Sequence, residues 1–331
     1  MNKPLTRRRF IGISAAVAGA AALPFCLSSR NKNLPQATEW HGIALGADAH
    51  LRLYHPDSRF ARNLIEKAVA EVDRLEKIFS LYRNDSLLVK LNQTGRLNNP
   101  PAEMLAVLSI SRYVHRLTQG AFDPTIQPLW QAYADHFTRS PGSRNIPGHA
   151  VSRALSRVGF EHIVFDNRAV WFRKPGMALS FNGIAQGYIT DRITDMLRDA
   201  GLEQALVDMG EIRALETQHR HIWRAGIRHP EQEHTLLATL PLQNQALATS
   251  SGYATPFDEA RHFTHLFHPR SGLNQPRYRS ISVMAENAAT ADAFSTAFAV
   301  SSSALIRQTV AQEKNLKVWL LPLQGKLETI V

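Results

Sequence analysis

The chain has one cysteine, Cys26, in 331 residues. No disulfide can form within it, and without a CxxC pair there is no case for a zinc ribbon or a thiol-redox centre. The apolar run at residues 13–25 is too short for a comfortable membrane span, which needs about 20 residues, and no other stretch is long and apolar enough. The GxGxxG and Walker phosphate patterns are both absent. So are internal repeats and low-complexity blocks. Even the basic excess is thinner than it looks. The formal charge is +10, but residues 1–38 hold six basic residues and no acid, which leaves 32 basic against 28 acidic residues, or +4, in the rest. That balance argues against nucleic acid as the main partner. A hydrophobic content of 44% with 20% charged residues is that of a folded globular chain with ample core, and it excludes a disordered or fibrous one.

What is present begins with an address. Thr6-Arg7-Arg8-Arg9-Phe10-Ile11 precedes a weakly apolar run, Ile13 to Phe25, rich in alanine and glycine. This is the layout of a secretory signal, and the arginines followed by Phe10 resemble a twin-arginine export signal. The expected organisation is a signal at residues 1–26, a polar linker at 27–38 and an exported domain at 39–331, with a periplasmic location. An uncleaved amino-terminal anchor is the alternative. Phe25 stands where a small residue usually precedes a lipidated cysteine, which argues against lipid attachment at Cys26.

Periodicity predicts a strand over His41–Tyr54, and an amphipathic helix over Phe60–Phe79 that Asp57 or Ser58 could cap. A second helix opens at Pro100-Pro101 and runs to about Thr118, with Gly120 as its stop. Residues 138–150 read as a loop. Ala185–Ala200 reads as a helix with Ile189, Ile193, Met196 and Leu197 inward. Strands follow at Gln204–Met209, His221–Ile227, His234–Leu240 (ended by Pro241) and Ala246–Thr249, then at Arg279–Ala285. Helices from about Thr290 to Ser301 and on to about Glu313 precede strands at Asn315–Pro322 and Leu327–Val331. Helices and hairpin-like strands mix without strict alternation, so the expected class is α+β: mixed, largely antiparallel sheets with packed helices.

Four stretches hold more turn-forming and polar residues than packing needs. In Gly120-Ala121-Phe122-Asp123-Pro124-Thr125, small residues let backbone approach a ligand, and a helix stop with an Asx turn at Asp123 is the plainer reading of the stretch alone. Phe181 to Tyr188 joins a strand to a helix, where backbone amides can meet a phosphate. Asp292 and Thr296 lie four apart on one helix face. With a backbone carbonyl they would suit a hard cation such as Mg²⁺, and a helix-start aspartate with a packed threonine is the plainer reading. His262, His265 and His268 have metal-like spacing, but Pro269 and Ser271-Gly272 favour strand and turn there. One functional histidine at most is expected, with the others at the surface.

Taken in order, these stretches resemble the ApbE family, the FAD:protein FMN transferases. The resemblance runs from about Gly42 to about Ala304. It rests on Leu45-Gly46-Ala47, on Ser80-Leu81-Tyr82 with Asp85-Ser86 and Asn92, and on Gly120-Ala121-Phe122-Asp123-Pro124. It continues through Gly187-Tyr188 with Asp191, Ser251-Gly252-Tyr253, His265 with Pro269, Ser271 and Gly272, and Asp292-Ala293 with Thr296-Ala297. Each motif is weak alone, and seven in the right order are a strong signal.

The resemblance implies an ApbE-like fold with an active-site cleft between two subregions. Ala121, Phe122 and Asp123 would line an FAD site, with Leu45 and Tyr82 near the flavin or adenine and Leu266 or Phe267 beside the nucleotide. Asp292, Thr296 and the Gly183 carbonyl would hold Mg²⁺. His265 would sit near the reacting centre. FAD would be the substrate and AMP a product. The acceptor would be a threonine, or a serine, of a membrane-associated target flavoprotein. Export would need the twin-arginine machinery. Ser180 stands where the family often has an FAD-contacting Asp, and Gln186 where Lys or Glu is usual. Gly210-Glu211 replaces the usual Gly-Gly, and His268 a frequent Asp. Asn182-Gly183-Ile184-Ala185-Gln186-Gly187-Tyr188-Ile189-Thr190-Asp191 together with Gly210-Glu211-Ile212-Arg213 looks most like the NosX-like branch, accessory to nitrous-oxide reduction. A non-catalytic FAD-binding or delivery protein and an FAD pyrophosphatase are the rival functions.

Overall fold

The computed structural model describes residues 36–331 except 141, 219–221, 253–255 and 259–261. The signal, Cys26, most of the linker and Tyr253 lie outside the described residues. Among the described residues no helix is long and apolar enough to cross a membrane.

The first strand of the sequence reading is a hairpin. Strands β1 (Ala37–Ala44) and β2 (Ala47–Tyr54) pair antiparallel, with Ala44 opposite Ala47. Leu45 and Gly46 between them have φ of 47° and 83°. Positive φ at both central residues is the hairpin geometry that matches strand twist. The Leu45 amide donates to Glu76 Oε1 at 2.6 Å, which ties the tip to the next helix. That helix, α1 (Ser58–Phe79), is capped by Asp57, whose carboxylate accepts from the Arg59 and Phe60 amides. It buries Leu64, Ala68, Val72, Leu75 and Phe79 along one face.

Helix α2 (Leu87–Thr94) is capped by Ser86 and ends at Gly95 with φ 70°. Strand β3 (Arg96–Asn98) and helix α3 (Ala102–Leu117) follow. A 3-10 turn at Pro124–Ile126 leads into α4 (Gln127–Arg139), then α5 (Gly148–Leu155), β4 (Ile163–Phe165) and β5 (Ala169–Phe172). Strands β3, β5 and β4 make a small antiparallel sheet. After α6 (Ala185–Asp199) come β6 (Gln204–Asp208), β7 (Ile212–Glu216), β8 (Trp223–His229), β9 (Gln232–Leu242) and β10 (Ala246–Ser250). The chain closes with β11 (Tyr278–Ala285), α7 (Ala288–Val300), α8 (Ser303–Gln312), β12 (Lys317–Pro322) and β13 (Glu328–Ile330).

The main sheet runs β1-β2-β6-β7-β10-β11-β12-β13, antiparallel at every joint. One face carries α1, α6 and α7 over a core that includes Leu51, Leu53, Val207, Val283, Phe294 and Phe298. The β8–β9 ribbon covers part of the other face, where Trp223 and Ile227 meet Leu206, Ile212 and Trp319. A third cluster joins α4 and α5 to the 256–268 loop through Leu129, Tyr133, Phe137 and Phe267. The class is α+β as expected, and the cleft lies between the main body and this third cluster.

Several boundaries differ from the sequence reading. The loop at 138–150 is narrower, because α4 runs to Arg139 and α5 starts at Gly148. Leu129, Tyr133 and Phe137 recur every four residues, the spacing of one helix face. Pro241 does not end its strand. It sits within β9 opposite Arg224, exposed in a two-stranded ribbon, where a missing N–H deprives no third strand of a partner. His268 is half-buried rather than on the surface.

Candidate active site

All twelve residues proposed above for the FAD and metal sites, and His265, line one cleft. It encloses about 1310 Å³, counting solvent at its mouth.

One wall is the turn after α3. Gln119 and Gly120 are left-handed, with φ 51° and 84°, and the reversal exposes Ala121, Phe122 and Asp123 to the cleft. The Asp123 side chain is spent on the scaffold. Oδ1 accepts from Thr125 N at 2.8 Å and Thr125 Oγ1 at 2.6 Å, and Oδ2 accepts from Phe160 N at 3.0 Å. Thr125 Oγ1 in turn accepts from Gly159 N at 2.7 Å. Burial raises the Asp123 pKa, and those donors together with His115 oppose the rise.

The second wall is the segment entering α6. Asn92 holds it by a paired contact, accepting from Leu179 N at 2.7 Å and donating to Leu179 O at 2.9 Å. Ser180 N donates to Pro124 O at 2.8 Å and joins the two walls. Asn182 Nδ2 reaches the Tyr82 hydroxyl at 3.3 Å. Gly183 follows where backbone runs against α7, and a Cβ there would stand 2.7 Å from Thr296 Oγ1. Only glycine lets this backbone come so close to that hydroxyl.

The floor is α7 with the ends of β6, β7 and β10. Asp292 Oδ2 accepts from Gly187 N at 3.2 Å. Thr296 Oγ1 is 3.5 Å from Ser250 Oγ. Glu211, at the β6–β7 turn, accepts from Thr249 N at 3.2 Å. Gln186 lies over Gly210, whose Cβ would be 2.8 Å from its amide. Beneath them Asp191 accepts from Ala288 N and Ala289 N at the start of α7 and pairs with Arg213 at 2.8 Å.

The charges on this floor do not balance. Burial pushes Asp292 up to about 7 and Asp208 up to about 7. Glu211 is driven well above the usual carboxylate range by burial and then by Asp292 and Asp208. Asp191, with its arginine, reaches about 6. Among the described residues no cationic side chain pairs with Asp292 or Glu211. Uncompensated buried carboxylates are costly. Asp292, Thr296 and Gly183 line the same cleft, and carboxylate, hydroxyl and carbonyl oxygens are the donor set a hard divalent cation prefers, so the residues present fit Mg²⁺.

The last wall is the 263–269 loop. His265 is half-buried and lines the cleft with Leu266, Phe267 and Pro269. Phe267 also packs edge-on to Tyr133 at 5.0 Å. His262 is exposed, 3.5 Å from Asp258, so the three histidines do not converge. Glu211, Thr249, Ser250, Ile126 and Trp130 also line the cleft and were missed in the sequence. Gly210-Glu211 stood out there only as a departure from Gly-Gly, and the other four belong to no motif.

The model of the ApbE family matches residues 45–320. The FAD:protein FMN transferase of Klebsiella pneumoniae (strain 342) is 24% identical, covering 94% of this chain and 93% of its own. Its namesake from Salmonella typhimurium is also 24% identical, covering 88% and 86%. The fold is similar to the apo Pseudomonas stutzeri flavinyl transferase ApbE, with TM-score 0.77, 21% identity and coverage of 90% and 95%. It is similar too to the ApbE protein of Thermotoga maritima, with TM-score 0.76, 25% identity and coverage of 89% and 97%.

Proposed function

The chain belongs to the ApbE family, and from that premise we propose that it is an Mg²⁺-dependent FAD:protein FMN transferase. The observation that carries the reading is the floor of the cleft. Among the described residues two buried carboxylates, Asp292 and Glu211, stand without a cationic partner in the cleft that Thr296 also lines, where Gly183 brings its backbone close.

FAD enters with its rings against Leu45, Tyr82, Phe122 and Leu266 and its pyrophosphate toward α7. Asp292, Thr296 and the Gly183 carbonyl would hold Mg²⁺, which would supply neutralisation of phosphate charge and stabilisation of the AMP leaving group. A threonine hydroxyl of the target protein attacks the FMN phosphorus, the bond from that phosphorus to the AMP oxygen breaks, and AMP leaves. His265 is the group on the cleft suited to take the hydroxyl proton, since an imidazole ordinarily titrates near neutrality. Ser180 and Gln186 supply neutral contacts where the family pattern has charged ones, so FAD affinity rests more on the apolar walls.

The same reading includes export to the periplasm by the twin-arginine route, a membrane-associated acceptor and the NosX-like role in nitrous-oxide reduction. The arginines that support export lie outside the described residues. Incubation with FAD, Mg²⁺ and a threonine-bearing acceptor tests the reaction. A flavinylated acceptor with one AMP per transfer supports it. Bound FAD alone points to a carrier, and free FMN with AMP points to a pyrophosphatase.

A further inference from the structure

Away from the cleft, one face of the β1–β2 hairpin carries a second cluster of metal-ligating side chains. Glu39 and His41 are two apart on β1, so both point to the same face. His50 stands directly opposite His41 on β2. The two imidazoles stack, with centroids 4.2 Å apart and planes 11° from parallel. Glu39 Oε2 is 3.9 Å from His41 Nε2 and 4.0 Å from His50 Nε2. One ligand atom from each of the three residues lies within 4.8 Å of the others.

Two further observations separate this cluster from an ordinary polar patch. His50 Nε2 is buried and has no hydrogen-bond partner among the described residues, which is costly for a polar atom unless something else meets it. Glu39 is also held in place. Arg52 Nε donates to its Oε1 at 2.6 Å, which leaves Oε2 turned toward the histidines. An outer partner that orients a ligating carboxylate in this way is a regular part of metal sites.

We propose that Glu39, His41 and His50 form a site for an imidazole-preferring divalent transition metal, with Zn²⁺ as its probe, separate from the Mg²⁺ site of the cleft. Two histidines and a carboxylate make a three-ligand set that leaves a coordination position open to water. Bonds of about 2.0–2.1 Å require ligand atoms about 3.3 Å apart in a tetrahedral shell. The present separations are wider, and drawing all of them in takes small rotations of both the exposed His41 ring and the exposed Glu39 side chain. Oxygen-preferring Mg²⁺ is a poor match for two imidazoles, so the sites are sorted by ligand chemistry. A bound ion would clip edge strand β1 to β2. Leu45, at the tip of that hairpin, lines the cleft, so the clip would stiffen the lip of the proposed flavin site.

The test uses the full chain, untagged and metal-free, titrated with Zn²⁺ in the presence of saturating Mg²⁺. Bound zinc is read by equilibrium dialysis and the melting temperature in parallel. The wild type should bind one Zn²⁺ per chain and melt higher as zinc is added, because a ligand of the native state stabilises it. His41→Asn and His50→Gln should each weaken binding by about tenfold or more and abolish the rise. Asp292→Asn should leave zinc binding intact. His41 is exposed, so His41→Asn keeps the test open if His50→Gln misfolds. Equal zinc affinity in wild type and His41→Asn, loss of zinc in Asp292→Asn, or no bound zinc in the wild type would each overturn the proposal.

Discussion

Asp123 and Asp292 are both buried, both line the same cleft and both belong to motifs shared with one family, yet the fold uses them differently. Asp123 accepts three hydrogen bonds and closes a turn onto Phe160. Among the described residues Asp292 accepts one, from Gly187, and lies near a second carboxylate, Glu211, with no cationic side chain paired to either. What a buried carboxylate is for depends on where its lone pairs go. When the scaffold fills them the group is structural. When they are left open beside another anion, the site is built for something the chain does not itself supply.

Substitutions at the two positions should therefore separate. Asp292→Asn keeps an acceptor for Gly187 N and removes a charge, so the fold should survive while FMN transfer, read as acceptor fluorescence after gel separation, falls about 100-fold or more. Metal stabilisation of a leaving group is worth several kcal/mol. Asp123→Ala should act mainly on stability. It orphans the Phe160 amide and the Thr125 pair in a buried setting, at a cost of about 2–3 kcal/mol, measurable by urea unfolding. Transfer per folded molecule should change far less. If Asp123→Ala instead abolished FAD binding without loss of stability, the contrast would fail.

The floor should also impose a pH dependence. Asp292 and Asp208 have folded-state pKa values near 7, well above those of an unfolded carboxylate. The native state thus holds protons that the unfolded state has released. Their contribution to stability is complete below about pH 4 and is lost as pH rises through 7. Metal-free protein should lose stability from about pH 4 to about pH 7, and saturating Mg²⁺ should flatten the Asp292 share of that slope. Thermal melts at stepped pH, with and without Mg²⁺, check this. A metal-free slope of the opposite sign would remove the case for an unbalanced floor. Thr296→Ala should have the smallest effect. It removes one neutral ligand, so transfer should fall a few-fold and recover with excess Mg²⁺.

Much of the candidate site was legible in the sequence for a physical reason. Gly120–Asp123, Gly183 and Asp292–Thr296 are places where backbone must approach a ligand or side chains must share a helix face, and those needs leave local residue patterns. Residues that reach the cleft only through sheet register leave none. Thr249 and Ser250 sit there because β10 pairs with β11, and Trp130 because α4 docks on the 256–268 loop. Glu211 reads as a lone acid in a turn until β6 and β7 bring it beside Asp292. The Asx turn at Asp123 was legible, but its bond to Phe160, 37 residues away, was not. Leu45-Gly46 was read as part of one strand because nothing but a left-handed leucine marks the hairpin.

The most direct measurement is Mn²⁺ binding, with Mn²⁺ standing in for Mg²⁺, followed by electron paramagnetic resonance on the FAD complexes of wild type, Asp292→Asn and Asp123→Asn. The account predicts one bound Mn²⁺ in the wild type, its loss or severe weakening in Asp292→Asn, and near-normal binding per folded molecule in Asp123→Asn. Equal Mn²⁺ affinity in wild type and Asp292→Asn, or selective loss in Asp123→Asn, would contradict it.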